Sequence, residues 1–219
     1  PKPDTSAAEL LTTLAGDDER EAIAAAYDLA GYGAEVVPGL VETLTAEAEM
    51  TRRNAAYALS AIGAPAVDAL IDTLGHDQAD TRTDAATTLG DIAVAATDAL
   101  PALITASRDP HEDVRKAAAE ALGIIGQSSP EVVPALIDAV GDEHAGVRTA
   151  AVFALCRLGP HAAEAVAALE GVLDDDNRYI RGDALHALQR IDTPLAKDTL
   201  IKHLMPARWC PITTPESTF

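Results

Sequence analysis

The chain has 219 residues, with 35 acidic and 16 basic side chains, a formal net charge of −19 and a pI near 4.4. A surface this acidic repels phosphate, which excludes nucleic-acid binding by counterion release, and no run of about 18 uncharged apolar residues is present to cross a membrane as a helix. Apolar residues make up 48% but aromatics only 3%; 46 alanines supply much of the apolar share, and such small side chains let helices approach closely.

In chain order, the first periodic stretch is SAAELLTTL (6–14), and after it one block recurs six times. The second halves of the copies begin AAYDLAGYG (25–33), AAYALSAIG (55–63), AATTLGDIA (85–93), AAEALGIIG (118–126), AVFALCRLG (151–159) and ALHALQRID (184–192), at start-to-start distances of 30, 30, 33, 33 and 33. Each is followed by a second apolar stretch: VVPGLVETL (36–44), PAVDALIDTL (65–74), ALPALITAS (99–107), VVPALIDAV (132–140), AVAALEGVL (165–173) and PLAKDTLIKHL (194–204). Both halves have helical spacing. Val114, Ala118, Ala121, Leu122 and Ile125 fall three and four apart, as do Val133, Leu136, Ile137 and Val140. Prolines 38, 65, 101, 134 and 194 sit in or near first turns, where a missing N–H costs little. Glycines 33, 63, 126 and 159 follow the longer helices, where a left-handed stop is expected. No strand pattern occurs. The expectation is an all-α solenoid of about six helix pairs plus a capping helix over residues 1–204, followed by a non-helical tail, 205–219, that covers the last pair or docks elsewhere on the protein.

The repeat also carries a signature. A β-branched residue and an arginine precede Ala-Ala-x-x-Leu-x-x-Ile-Gly: Thr51-Arg52, Thr81-Arg82, Val114-Arg115, Val147-Arg148 and Ile180-Arg181, with Asp109, Asp142 and Asp175 each six residues before an arginine. This resembles the short HEAT repeats of the phycobilisome-lyase type over residues 6–204, with one departure: Ala22 stands where the first copy should carry arginine. The resemblance implies that the arginines and turn aspartates form a ladder between repeats, and that the second helices line a concave face.

On those helices, at roughly 100° per residue, Glu120 lies opposite the core stripe. Its repeat equivalents are Tyr27, Tyr57, Thr87, Phe153 and His186, so three of the seven aromatics share one outward column. Asn54, Asp84, Arg157, Asp183 and Arg190 fall in neighbouring columns, with Met50 at the rim. Aromatic and arginine anchors ringed by polar groups are the composition of protein-binding hot spots. The candidate partner-binding set is therefore Tyr27, Asn54, Tyr57, Asp84, Glu120, Phe153, Arg157, Asp183, His186 and Arg190, for a protein or peptide partner that the acidic surface would favour as basic.

Signatures of chemistry are missing. Deoxyhypusine hydroxylase, built from HEAT-like repeats, carries His-Glu pairs after the Val-Arg; here those places read Arg53-Asn54, Thr83-Asp84, Lys116-Ala117, Thr149-Ala150 and Gly182-Asp183. His111 and His144 are repeat equivalents in turns, and HExxH, CxxC and GxSxG do not occur. The expectation is a non-enzymatic scaffold without metal or cofactor. The alternatives are an accessory or lyase-like protein cradling a tetrapyrrole or other small hydrophobic ligand, or the solenoid arm of a larger enzyme. Cys156 and Cys210 are too few for a disulfide framework, and a cytoplasmic location is expected. The acid-rich, lysine-poor composition, 4 Lys against 12 Arg, suits a prokaryotic, salt-loving or high-GC source.

Overall fold

In a computed structural model, residues 5–16, 18–127 and 129–208 are described, the side chains of 206–208 excepted. They hold thirteen α-helices: α1 Ala7–Leu14, α2 Glu19–Ala30, α3 Val37–Thr43, α4 Glu49–Ile62, α5 Val67–Thr73, α6 Ala79–Ile92, α7 Leu100–Ala106, α8 Glu112–Ile125, α9 Val133–Val140, α10 Ala145–Leu158, α11 Val166–Gly171, α12 Arg178–Ile191 and α13 Pro194–Arg208. The described residues contain no strand. Short helices alternate with long ones, and two layers result. The long helices α2, α4, α6, α8, α10 and α12 stack successively, while each short helix from α1 to α11 packs on the long helix that follows it.

One leucine of each long helix (29, 59, 89, 122, 155, 188) and one of most short helices (40, 70, 103, 136, 169) is fully enclosed between the layers. Burying each such side chain contributes about 2 kcal/mol. Small residues set the distance between long helices: a Cβ on Gly123 would lie 2.6 Å from Cα and Cβ of Ala154, so α8 and α10 meet backbone to backbone. The helices end as the repeat dictates, with two exceptions. Gly33, Gly63 and Gly159 take positive φ, but Gly126 has φ −82° and is glycine because a Cβ would meet Leu122 O at 2.7 Å and Val132 Cγ1 at 2.8 Å. Ala93 is forced into the glycine conformation (φ 59°, ψ −131°). The last helix runs to Arg208 and not to Leu204, so the helical part of the chain passes the expected boundary by one turn. The remainder of the expected tail, 209–219, lies outside the described residues.

Two continuous helical stretches, Ala79–Ala106 and Ala145–Gly171, are long and apolar enough to cross a membrane by length and composition. Each comprises two helices of the stack, interrupted at Ala93 or Gly159, and 44% and 50% of their apolar windows are buried inside the fold.

The arginine ladder is present and spans repeats. Arg115 Nη1 donates to the carbonyls of Asp109 and Pro110 in its own turn (3.0 and 3.2 Å), while Nε and Nη2 donate to both oxygens of Asp142 in the next (2.7 and 2.9 Å). Arg82 does the same with Asp109, and Arg148 with Asp175. In the earlier turn His76 replaces the aspartate, and Arg52 turns to Asp84 (2.8 Å) and Asp80 (3.1 Å). The arginine hydrogen bonds hold Asp142 and Asp175 below the usual carboxylate range. At Asp109 burial opposes ionisation, but Arg82 and the His111 N–H outweigh it.

Ala93→Gly relieves a conformation that is largely reserved for glycine, and should raise stability by about 1 kcal/mol in chemical denaturation. Arg115→Ala should cost about 3 kcal/mol, whereas Arg53→Ala, which loses an exposed pair with Glu49, should cost under about 0.5 kcal/mol. A carboxylate with a lowered folded pKa contributes stability above its unfolded value, near 4, and loses it as pH falls through the folded value. Melting curves of the native chain should therefore fall steeply below about pH 4, and those of Arg115→Ala less steeply.

Candidate binding face on the long helices

The helical column lies on the open face of the long-helix layer. Tyr27, Tyr57 and Phe153 are 60%, 44% and 49% exposed, and Thr87, Glu120 and His186 are exposed beside them. The repeat brings Tyr27 of α2 against Tyr57 of α4, edge to face with ring centroids 5.0 Å apart. Next along the stack, between α4, α6 and α8, lies a groove of about 340 Å³ lined by Glu49, Arg52, Asp80, Thr83, Asp84, Thr87, Asp113, Lys116, Ala117 and Glu120. Its charge is five carboxylates against two cations. A second groove, of about 480 Å³, continues between α8 and α10; it shares Lys116 and Glu120 and adds Gly146, Thr149, Ala150, Phe153 and Arg157. The face therefore runs from a tyrosine pair through an acidic floor to a phenylalanine.

Several residues of the expected set sit differently. Asn54 is not outward: it is only 6% exposed, because the next column around the helix is covered by the neighbouring repeat. Asp84 lines the first groove but is half-buried and paired with Arg52; burial raises its pKa and Arg52 opposes the rise. Asp183 is half-buried, while Arg157 and Arg190 are exposed. Lys116, which touches both grooves, and Tyr179, which is 64% exposed with Arg178 4.8 Å above its ring, lie off the aromatic column and were not expected from it. His111 and His144 are the N-cap residues of α8 and α10.

Cys156 is buried, with Sγ 3.9 Å from Nδ1 of His186. Burial pushes its thiol pKa up against the pull of Arg190, which is the reverse of what a nucleophile needs. No cluster of three or more His, Cys, Asp or Glu able to hold a metal occurs among the described residues.

The HEAT repeat profile matches residues 7–90, 67–156 and 133–208. The chain belongs to the HEAT repeat family. Solved structures place this HEAT solenoid among other repeat proteins. The complex of CpcE and CpcF of phycocyanin lyase from Nostoc sp. PCC7120 aligns with TM-score 0.63 and 24% identity, over 70% of this chain and 98% of that one. Kap95p, in a structure describing its binding to RanGDP, aligns with TM-score 0.71 and 17% identity, over 93% of this chain and 33% of that one. Computationally designed armadillo repeat proteins for modular peptide recognition align with TM-score 0.56 and 20% identity, over 85% of this chain and all of theirs. At these identities the likeness is one of fold. No curated protein matches the HEAT chain in sequence.

In a Cys210→Ala background, Cys156 should react with a disulfide reagent at least about tenfold more slowly than free cysteine at pH 8, as burial and a raised pKa require; stopped-flow absorbance measures it.

Proposed function

We propose that this HEAT solenoid is a non-catalytic scaffold whose long-helix face binds a protein or peptide carrying basic residues. One observation carries the reading: exposed Tyr27, Tyr57 and Phe153 flank a groove floored by Glu49, Asp80, Asp84, Asp113 and Glu120. Each ring offers large apolar area on a side chain with few torsions to immobilise, and anchors of this kind contribute about 2 kcal/mol or more when a partner encloses them. The carboxylates supply long-range attraction, which sets on-rate and partner choice more than affinity. The relatives in fold are consistent with this: one set is designed for peptide recognition, Kap95p binds RanGDP, and CpcE is found in complex with CpcF. With Cys156 closed off and its pKa raised, the face offers contacts and no activated nucleophile.

The test is a peptide array spanning basic and neutral sequences, probed with the native chain and with Tyr57→Ala/Phe153→Ala. The double variant should fold, because both side chains are exposed, and should lose at least about tenfold in affinity for the peptides retained. Retained basic peptides should release between 0.1 and 0.5 M salt, values of about the range over which surface charge is screened. Capture unchanged by the double substitution would refute the reading. Saturable uptake of a bilin that displaces those peptides would assign the face to tetrapyrrole instead.

A further inference from the structure

Charge is distributed unevenly along the open face. The first groove, between α4, α6 and α8, sets five carboxylates against two cations, Arg52 and Lys116. The second, between α8 and α10, sets two cations, Lys116 and Arg157, against the carboxylate of Glu120. Lys116 already lies 3.9 Å from Glu120, so Arg157 is the charge left uncompensated there. The face thus changes sign between α8 and α10, in a chain with 35 acidic and 16 basic side chains.

Arg190 repeats Arg157 on the next long helix. The two stand 33 residues apart, one repeat, and both are exposed. Each lies one turn beyond a ring of the outward column, Phe153 on α10 and His186 on α12. The two helices meet at this level: Cys156 Sγ is 3.9 Å from His186 Nδ1, and Arg190 is near enough to Cys156 to pull on its thiol. Two rings and two guanidinium groups therefore form a two-by-two array across helices whose axes are about 8–10 Å apart. Arg52, Arg82, Arg115 and Arg148 hold carboxylates within the fold, as Arg53 and Arg108 do on its surface. Arg157 and Arg190 hold none among the described residues, and half-buried Asp183 pairs with neither.

We propose that the partner of this face is a bipolar, extended peptide segment: a lysine or arginine enters the acidic groove and, further along, an apolar residue covers Phe153 and an aspartate or glutamate sits between Arg157 and Arg190. The inference rests on the reading of the face as a protein-binding surface, and gives its partner a second charge of opposite sign and a spacing. Guanidinium forks present parallel N–H donors to a carboxylate, and two of them on one anion provide a directed clamp where the acidic groove provides only attraction. Phe153, one turn from Arg157, supplies the apolar contact that keeps water from the ion pair once a partner side chain lies on the ring. From α6, at the centre of the first groove, to the midpoint of α10 and α12 is two and a half helix spacings, about 20–25 Å, which an extended chain covers in about six to eight residues. Side chains alternate along such a segment, so one short stretch turns residues toward both grooves.

The test is a fluorescence-anisotropy titration of the full chain against labelled synthetic peptides of about twelve residues, enough to span both grooves. Each carries a Lys-Arg pair at one end and, about six to eight residues away, a leucine followed by Asp, Asn or Lys, and each is made in both chain directions. In the preferred direction the Asp peptide should bind about tenfold more tightly than the Asn peptide, and the Lys peptide more weakly than either. Arg157→Gln/Arg190→Gln removes two exposed side chains and no ion pair, so the variant should fold. It should bring the Asp peptide to the level of the Asn peptide while leaving the latter within about twofold. Equal binding of the Asp and Asn peptides, or an Asp preference that survives the double substitution, would overturn the inference and leave the binding face itself standing. No saturable binding by any of the peptides would refute the face and the inference with it. A phosphoserine peptide preferred over the Asp peptide by about tenfold or more would overturn the carboxylate in favour of a phosphopeptide. Self-association in light scattering that the double substitution abolishes would do so in favour of a second copy.

Discussion

The rest of the structure depends on a planar guanidinium that holds two repeats at once. Arg82, Arg115 and Arg148 each bond two carbonyls of their own turn and both oxygens of an aspartate in the next. Five rigid donors in a fixed fork suit this task, and lysine could not perform it. Because the same bonds recur at a 33-residue interval, successive long helices are set down in the same orientation. Residues one repeat apart then fall in line across the face, and scattered aromatics become a column. The aromatic column is thus a product of the ladder and not of any single helix.

Departures from the ladder are informative for the same reason. His76 in place of an aspartate sends Arg52 sideways to Asp80 and Asp84, which brings two carboxylates to the groove wall. At the amino-terminal end Ala22 replaces the arginine altogether, and α2 is held by packing and by its Asp18 cap. At the other end Arg181 keeps its carbonyl bonds and has no aspartate partner among the described residues. Cohesion is therefore greatest in the middle of the molecule, where the grooves lie, and weakest at the ends.

Much of this was legible in the sequence. The recurring Arg with Ala-Ala-x-x-Leu and the turn aspartates implied paired helices and the ladder, and the outward position of Tyr27, Tyr57, Glu120 and Phe153 followed from helical geometry. What escaped depends on neighbours rather than on a residue's own helix. Asn54 is buried because an adjacent repeat covers its column, a fact no single-helix angle contains. The pairing of Asp84 with Arg52 joins residues 32 apart after the regular partner has been lost. Gly126 looks like a left-handed stop but is required by the approach of Val132, and Ala93 adopts the stop without being glycine. Lys116 joins the two grooves from a column with no distinctive pattern.

Native-state hydrogen exchange reads the opening free energy helix by helix in the intact chain. If the arginine fork sets cohesion, amides of α8 and α10, whose repeats are gripped on both sides, should exchange most slowly. Protection should then decline toward α1–α2 and α12–α13. Uniform protection along the stack, or the slowest exchange at either end, would mean that the fork does not set cohesion.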